Sequence, residues 1–154
     1  MTIDTQNINQ VIKEVYNGTI NAVKKVIPLE PNIGAPQLIN PPLKVEFGVT
    51  IGFTGDLKGE LVLQAEKGFM SEIGKVMFGM PLSDDMLDSF AGELGNMIAG
   101  SLSTYLAEKK MKTEITHPII LKGDARLSGF KRALLVEIAY LTDKKLTLHL
   151  LLNQ

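Results

Sequence analysis

The sequence predicts an α+β fold, a mainly antiparallel sheet with helices packed on it, in the element order α-β-β-α-α-β-β-β. Three observations lead there. Apolar residues recur at helical spacing near the N-terminus, switch to a period of two from Leu43, return to helical spacing from Glu66 to about Lys110, and then alternate again. Successive strands without helical crossovers favour antiparallel pairing. With 154 residues, 45% hydrophobic and 21% charged, the chain has the size and composition of one packed domain, 1–154, rather than of a disordered polymer.

Taken in order, Ile8, Val11, Ile12, Val15, Thr19, Ala22, Val23 and Val26 predict an amphipathic helix over 4–26, with Asp4 or Thr5 as N-cap and Pro28 beyond its end. The stretch 28–42 carries Pro28, Pro31, Pro36, Pro41 and Pro42, and reads as an extended surface connection. Val45, Phe47, Val49, Ile51 and Phe53 alternate with Lys44, Glu46, Gly48, Thr50 and Gly52 as a half-buried strand. Thr54, Gly55 and Asp56 supply turn chemistry before a returning strand at 59–65. A short helix at 66–78 stops near Gly79 and Pro81. A long one runs from Ser83 to about Lys110, with Asp84, Asp85 and Asp88 at the end where negative charge suits the helix dipole. Strands follow at 113–121, 130–141 and 144–152, the last two joined through Thr142, Asp143 and Lys144.

Composition excludes several classes of function. A net charge of −1 offers no electrostatic footprint for nucleic acid or an anionic membrane. The absence of cysteine removes disulfides, thiolate nucleophiles and cysteine-based zinc sites, and is compatible with a reducing compartment. Residues 1–9 lack a basic region followed by an apolar stretch, and no apolar run approaches the roughly 20 residues that span a bilayer. A cytoplasmic protein is expected.

The long helix carries the chemistry. At about 100° per residue, Glu93 and Asn96 fall within about 40° of Ser89 on either side, with Gly100 between them. Phe90, Leu94, Met97, Ile98 and Tyr105 are placed on the opposite, core side. Gly92, Gly95 and Gly100 each cost about 0.5–1 kcal/mol relative to alanine in a helix interior, and Asn96 is a poor mid-helix residue. Taken by itself, this is a solvated helix face with glycines for helix–sheet packing.

The string Ser89-Phe-Ala-Gly-Glu93-Leu-Gly-Asn96-Met-Ile-Ala-Gly100, followed by Pro118, resembles the signature of the CheC/CheX/FliY phosphatases of bacterial chemotaxis, CheX in particular. The element order and Gly52-Phe53-Thr54-Gly55 at the first hairpin fit the same family. The resemblance implies a phosphatase whose substrate is the aspartyl phosphate of the response regulator CheY, with Mg²⁺ held in the partner's own site and no cofactor bound by this chain. It assigns catalysis to Asn96, which would orient the attacking water, and docking on a partner lysine to Glu93. Ser89, Gly92 and Gly100 would contact the substrate protein, although Ser89 also reads as a tolerated surface residue and Pro118 as a strand-bending one. A homodimer with sheets joined across subunits is implied as well. The alternative is a non-catalytic module that binds a response regulator with the same helix.

Other features are weaker. Glu14 and Asn17 repeat the Glu-x-x-Asn spacing on the first helix, facing away from its apolar stripe, but Gln10 and Asn21 stand where the site helix has Ser89 and Gly100. One site per chain is expected. His117 and His149 are too isolated for a metal site and are placed in or beside strands. Met70, Met77, Met80, Met86 and Met97 read either as core filler or as an adaptable binding surface. Lys122, Arg126, Lys131 and Arg132 form a loose basic group around the loop at Gly129, read as solvated, with a docking contact to an acidic phosphoacceptor face as the other reading.

Overall fold

Hydrophobic alternation and helical spacing resolve into three helices and one sheet in a computed structural model that describes residues 7–141 and 143–153. Helix α1 (Ile8–Val26) is capped by Asn7, whose Oδ1 accepts from the Gln10 amide at 3.3 Å. The cap therefore lies later than expected; Asp4 and Thr5 are outside the described residues. The proline-rich connection is more ordered than its composition implied. It contributes two short strands, β1 (Asn32–Ile33) and β2 (Gln37–Leu38), both paired with one edge of the sheet. Prolines withhold donors there, but Gly34 and Ile39 supply theirs to the carbonyls of Glu137 and Ala133 at 2.8 and 3.1 Å.

Strand β3 (Leu43–Gly55) and β4 (Gly59–Gln64) make the first hairpin, followed by α2 (Lys67–Phe78) and α3 (Asp84–Glu108). Gly79, at φ 76°, ends α2 in the left-handed region that glycine occupies without steric cost. The single strand expected at 113–121 is two, β5 (Thr113–Ile115) and β6 (Ile119–Leu127), broken at Thr116, His117 and Pro118. The break is held in place: Thr116 Oγ1 accepts from the Gly52 amide at 2.8 Å, and the Thr116 amide donates to the Gly52 carbonyl at 2.9 Å. Strands β7 (Arg132–Leu141) and β8 (Lys144–Leu152) complete the chain; Thr142 of their connection lies outside the described residues.

All pairings are antiparallel, in the order β1-β7-β8-β4-β3-β5, with β6 also on β3 and β2 on β7. Strand β3 is the hinge of the sheet, flanked by β4 on one side and by β5 and β6 on the other. Phe47, Val49, Ile51 and Phe53 join Leu61, Leu63, Val136, Leu146 and Leu148 in the core under the helices. A β-bulge between Val45 and Phe47 turns Val45 to the other face, where it packs with Val62, Leu121, Phe130, Ala133 and Leu151.

His149 lies on that second face, between Leu148 and Leu150 of the helix-side core. It is buried, and its Nε2 donates to Gln64 Oε1 at 3.2 Å, while Nδ1 has no hydrogen-bond partner among the described residues. Burial lowers its pKa from 6.5 to about 4. Because the folded state resists protonation, the stabilising contribution is fully present above pH 6.5 and declines as the pH falls toward 4. The predicted loss over that window is on the order of 3 kcal/mol, read as a falling urea midpoint. His149→Met flattens the pH dependence.

Candidate active site

Helix α3 begins with Asp84 and Asp85 in its first turn, where their charge meets unsatisfied backbone amides. Its apolar face, Leu87, Phe90, Ala91, Leu94, Ile98, Leu102 and Leu106, is buried against the sheet. Gly95 permits the contact. A Cβ added there would lie 2.9 Å from Val49 Cγ1 and 3.0 Å from Ile51 Cδ1, so the helix rests its backbone on β3. A second fastening ties α3 to α1. A Cβ on Gly18 would meet Tyr105 Cδ1 at 2.6 Å and Leu102 Cδ1 at 2.7 Å. Beside that contact Tyr105 donates its hydroxyl to Glu14 Oε2 at 3.1 Å, and Lys109 Nζ stands 4.0 Å from the same oxygen. Desolvation, reinforced by the hydrogen bond to Glu14, raises the Tyr105 pKa.

With both the sheet side and the α1 side occupied, Ser89, Glu93 and Asn96 are left on one exposed row, and Gly100 continues it half-buried with open space around it. Among the described residues neither the Glu93 carboxylate nor the Asn96 carboxamide has a hydrogen-bonding or ionic partner, so both are available to another molecule. One flank of the row is polar: Asp88 forms an ion pair with Lys122 of β6, both partners largely solvated. The group formed by Pro118 and Ile120 lies on this side too, against Gly92. The other flank is apolar, with exposed Met86 and Met97 beside the row and Phe78 of α2 set edge-on to Phe90 at 5.6 Å between ring centroids. Among the described residues no three His, Cys, Asp or Glu side chains gather to hold a metal ion. The row can position and hydrogen-bond; it holds no nucleophile activated by a neighbouring base.

The sequence model of the chemotaxis phosphatase CheX matches residues 47–133, more than half of the chain and inclusive of the whole site helix. The chain belongs to the CheX family. A CheY-P phosphatase CheX of Thermotoga maritima is 28% identical over 153 residues, covering 96% of each chain. Among solved structures, a chemotaxis protein CheX from Desulfovibrio desulfuricans superposes with a TM-score of 0.75 at 21% identity, over 93% of this chain and 99% of that one. The CheX of a CheX-CheY-BeF₃-Mg²⁺ complex from Borrelia burgdorferi gives 0.76 at 18% identity, over 93% and 97%. These two establish the shared fold across nearly the whole chain.

Within this CheX-family fold several sequence expectations need correcting. Gly92, assigned to the substrate surface, is buried; a Cβ there would lie 3.6 Å from Pro118 Cγ, an ordinary packing distance. Gly95 is likewise buried, and it serves helix–sheet packing. Met97, grouped with the core side in the sequence reading although the wheel sets it only about 40° from Glu93, is 39% exposed. Tyr105 is half-buried and faces α1 instead of the sheet. Glu14 does not form an outward pair with Asn17: it is 6% exposed, turned into the α1–α3 contact, while Asn17 is exposed. Of the basic residues, Arg126, Lys131 and Arg132 do flank the loop at Gly129, and only Lys122, paired with Asp88, lies away from it. Lys122 and Arg126 belong to β6, Lys131 precedes β7, and Arg132 opens it. Pro118 interrupts the strands as expected and also packs beside the site helix, a contact that only long-range pairing could disclose.

The glycines of α3 should separate by role. Gly95→Val is expected to cost at least about 1–3 kcal/mol by overpacking against Val49 and Ile51. Gly100→Ala, with nothing within 4 Å of the new methyl group, should stabilise by about 0.5–1 kcal/mol through helix propensity. Urea unfolding of the two variants measures both signs.

Proposed function

We propose that this chain hydrolyses the aspartyl phosphate of a CheY-type response regulator, with Asn96 as the catalytic residue and Glu93 as the docking residue. The observation that carries the reading is the pair of unpartnered side chains, Glu93 and Asn96, one turn apart on the exposed face of a helix braced on two sides, in a chain of the CheX family. The relative from Thermotoga maritima carries the name CheY-P phosphatase, and the Borrelia burgdorferi CheX was solved in complex with CheY, BeF₃ and Mg²⁺.

Phosphoryl transfer demands little covalent chemistry from a helper protein. Positioning of the in-line water and stabilisation of charge dominate the barrier. A carboxamide suits the first task, because its oxygen accepts from the water while its NH₂ group donates to a phosphoryl oxygen. Asn96 would reach into the receiver's phosphorylation site, where Mg²⁺ is bound by the receiver's own residues and neutralises the phosphoryl charge. Glu93 would pair with a lysine of the receiver and set the register at which Asn96 enters. Asp84, Asp85 and Asp88 share its sign along the first turns of α3, so a basic margin on the receiver is drawn to this end of the helix. Ser89 would contact the partner from the row's other end, and Gly100, lacking a side chain, would let its backbone approach.

The reaction belongs to the cytoplasm, where phosphorylated receivers occur. No described helix is long and apolar enough to cross a membrane. We also propose a homodimer joined through a sheet edge. Strand β6, nine residues long and paired among the described residues only with β3, leaves one side of its backbone ladder available for pairing. Light scattering at micromolar concentration should give twice the mass of the chain.

Phosphate release from phosphorylated CheY, followed with and without this protein, is the deciding measurement. Asn96→Ala should retain the fold and lose acceleration by about 10²-fold or more, the scale of losing a positioned transition-state hydrogen bond. Glu93→Lys should raise KM. Wild-type protein that binds the phosphorylated receiver without speeding its decay would select the binding-module reading instead.

A further inference from the structure

Seven large hydrophobic side chains are exposed among the described residues, and five of them, Val76, Phe78, Met80, Met86 and Met97, fall between the last turns of α2 and the middle of α3. The other two, Leu38 and Ile119, lie on separate strands. Such a concentration on one part of a surface marks an interaction site more often than chance exposure does. We propose that Phe78, Met80, Met86 and Met97 form an apolar docking rim for the phosphorylated receiver, gripping an apolar patch beside its phosphoacceptor site. This rests on the reading of Asn96 as the residue that enters that site.

Three arguments favour the receiver as occupant. The first is continuity. On the helical wheel Met86 lies about 20° and Met97 about 40° from Glu93, so the rim and the polar row form one unbroken face of α3. The second is size. A specific complex buries about 800 Å² on each partner, a disc roughly 16 Å in radius. Met86 is ten residues from Asn96, about 15 Å along the helix, and Met97 is its neighbour. A receiver centred on Asn96 with a footprint of that size must cover both. The third is exclusion. A second copy of this chain seated on the rim would cover Asn96 and shut the receiver out.

The flanks divide the work. On one side Asp88 and Lys122 present charge, and on the other the rim presents flexible thioethers and the exposed Phe78 ring. That asymmetry fixes the rotation of the receiver about the Asn96 contact. Methionine, unbranched and polarizable, adapts to receivers whose apolar patches differ in shape, so the rim tolerates related partners while Glu93 sets register.

The test uses wild-type protein labelled at its methionine methyl groups and titrated with CheY activated by beryllofluoride. The expected result is that the Met80, Met86 and Met97 signals shift or broaden, whereas those of Met70 and Met111, both 0% exposed, stay fixed. Unmoved Met86 and Met97 signals under saturating receiver overturn the proposal. So does a shift of the same signals on raising the protein's own concentration without receiver, which assigns the rim to self-association. Functionally, the double variant Met86→Gln, Met97→Gln should raise KM about tenfold with kcat retained, and Leu38→Gln on distant β2 should change neither. Loss of acceleration in Asn96→Ala alongside an unchanged KM in the methionine variant overturns the rim alone. Acceleration that survives in Asn96→Ala overturns the phosphatase reading itself.

Discussion

The contact of α3 with β3 at Gly95 is the constraint on which the rest depends. Where Cβ would stand, the side chains of Val49 and Ile51 already fill the space, so the helix backbone sits close on the central strand. That approach fixes the rotation of α3 about its axis. A helix turned by one residue position, about 100°, would carry Glu93 and Asn96 out of the exposed row and bury polar groups without partners. Gly18 and the Glu14–Tyr105–Lys109 group hold the far half of the helix against α1 by a different device, a polar contact at the edge of an apolar one. Helix α3 is braced by the sheet below and a helix beside it, and its remaining face is free.

A rigid free face suits the proposed chemistry. A residue that enters another protein's active site must hold its position without help from its own surroundings until the complex forms. A braced helix does this better than a loop, because the backbone under Asn96 is already ordered and its ordering entropy has been spent in folding. Burial displaces the pKa values of three groups in the packed parts of the fold. His149 is lowered by burial on the far side of the sheet, Tyr140 is raised by burial, and Tyr105 is raised at the α1 contact. A carboxamide does not titrate, so the positioning task proposed for Asn96 calls for neither an acid nor a base.

Local pattern located most elements within a few residues, because each is amphipathic and its apolar period shows which state buries it. Where reading by pattern failed, the reason was pairing at a distance. The split between β5 and β6 comes from Pro118 and from Thr116 bonding back to Gly52, sixty-four positions away. Strands β1 and β2 exist only because β7 offers an edge to a proline-rich segment that has no period of its own. The bulge at Val45 and Phe47 reverses the side of the sheet that alternation assigns, so one strand feeds two apolar clusters.

What the sequence alone determined about this protein is the α+β class, the long helix, and the row of Ser89, Glu93 and Asn96 with its family signature, since each is set by spacing along the chain. Tertiary structure decided the meaning of the residues around that row. It buried Glu14, which spacing had turned outward, and drew Gly92 and Gly95 into packing while leaving Gly100 open. It also sorted the methionines, placing Met70 in the core and leaving Met80, Met86 and Met97 on the surface. A helical wheel gives the direction of a side chain, but whether that direction meets a sheet, a second helix or water depends on elements far away in the chain.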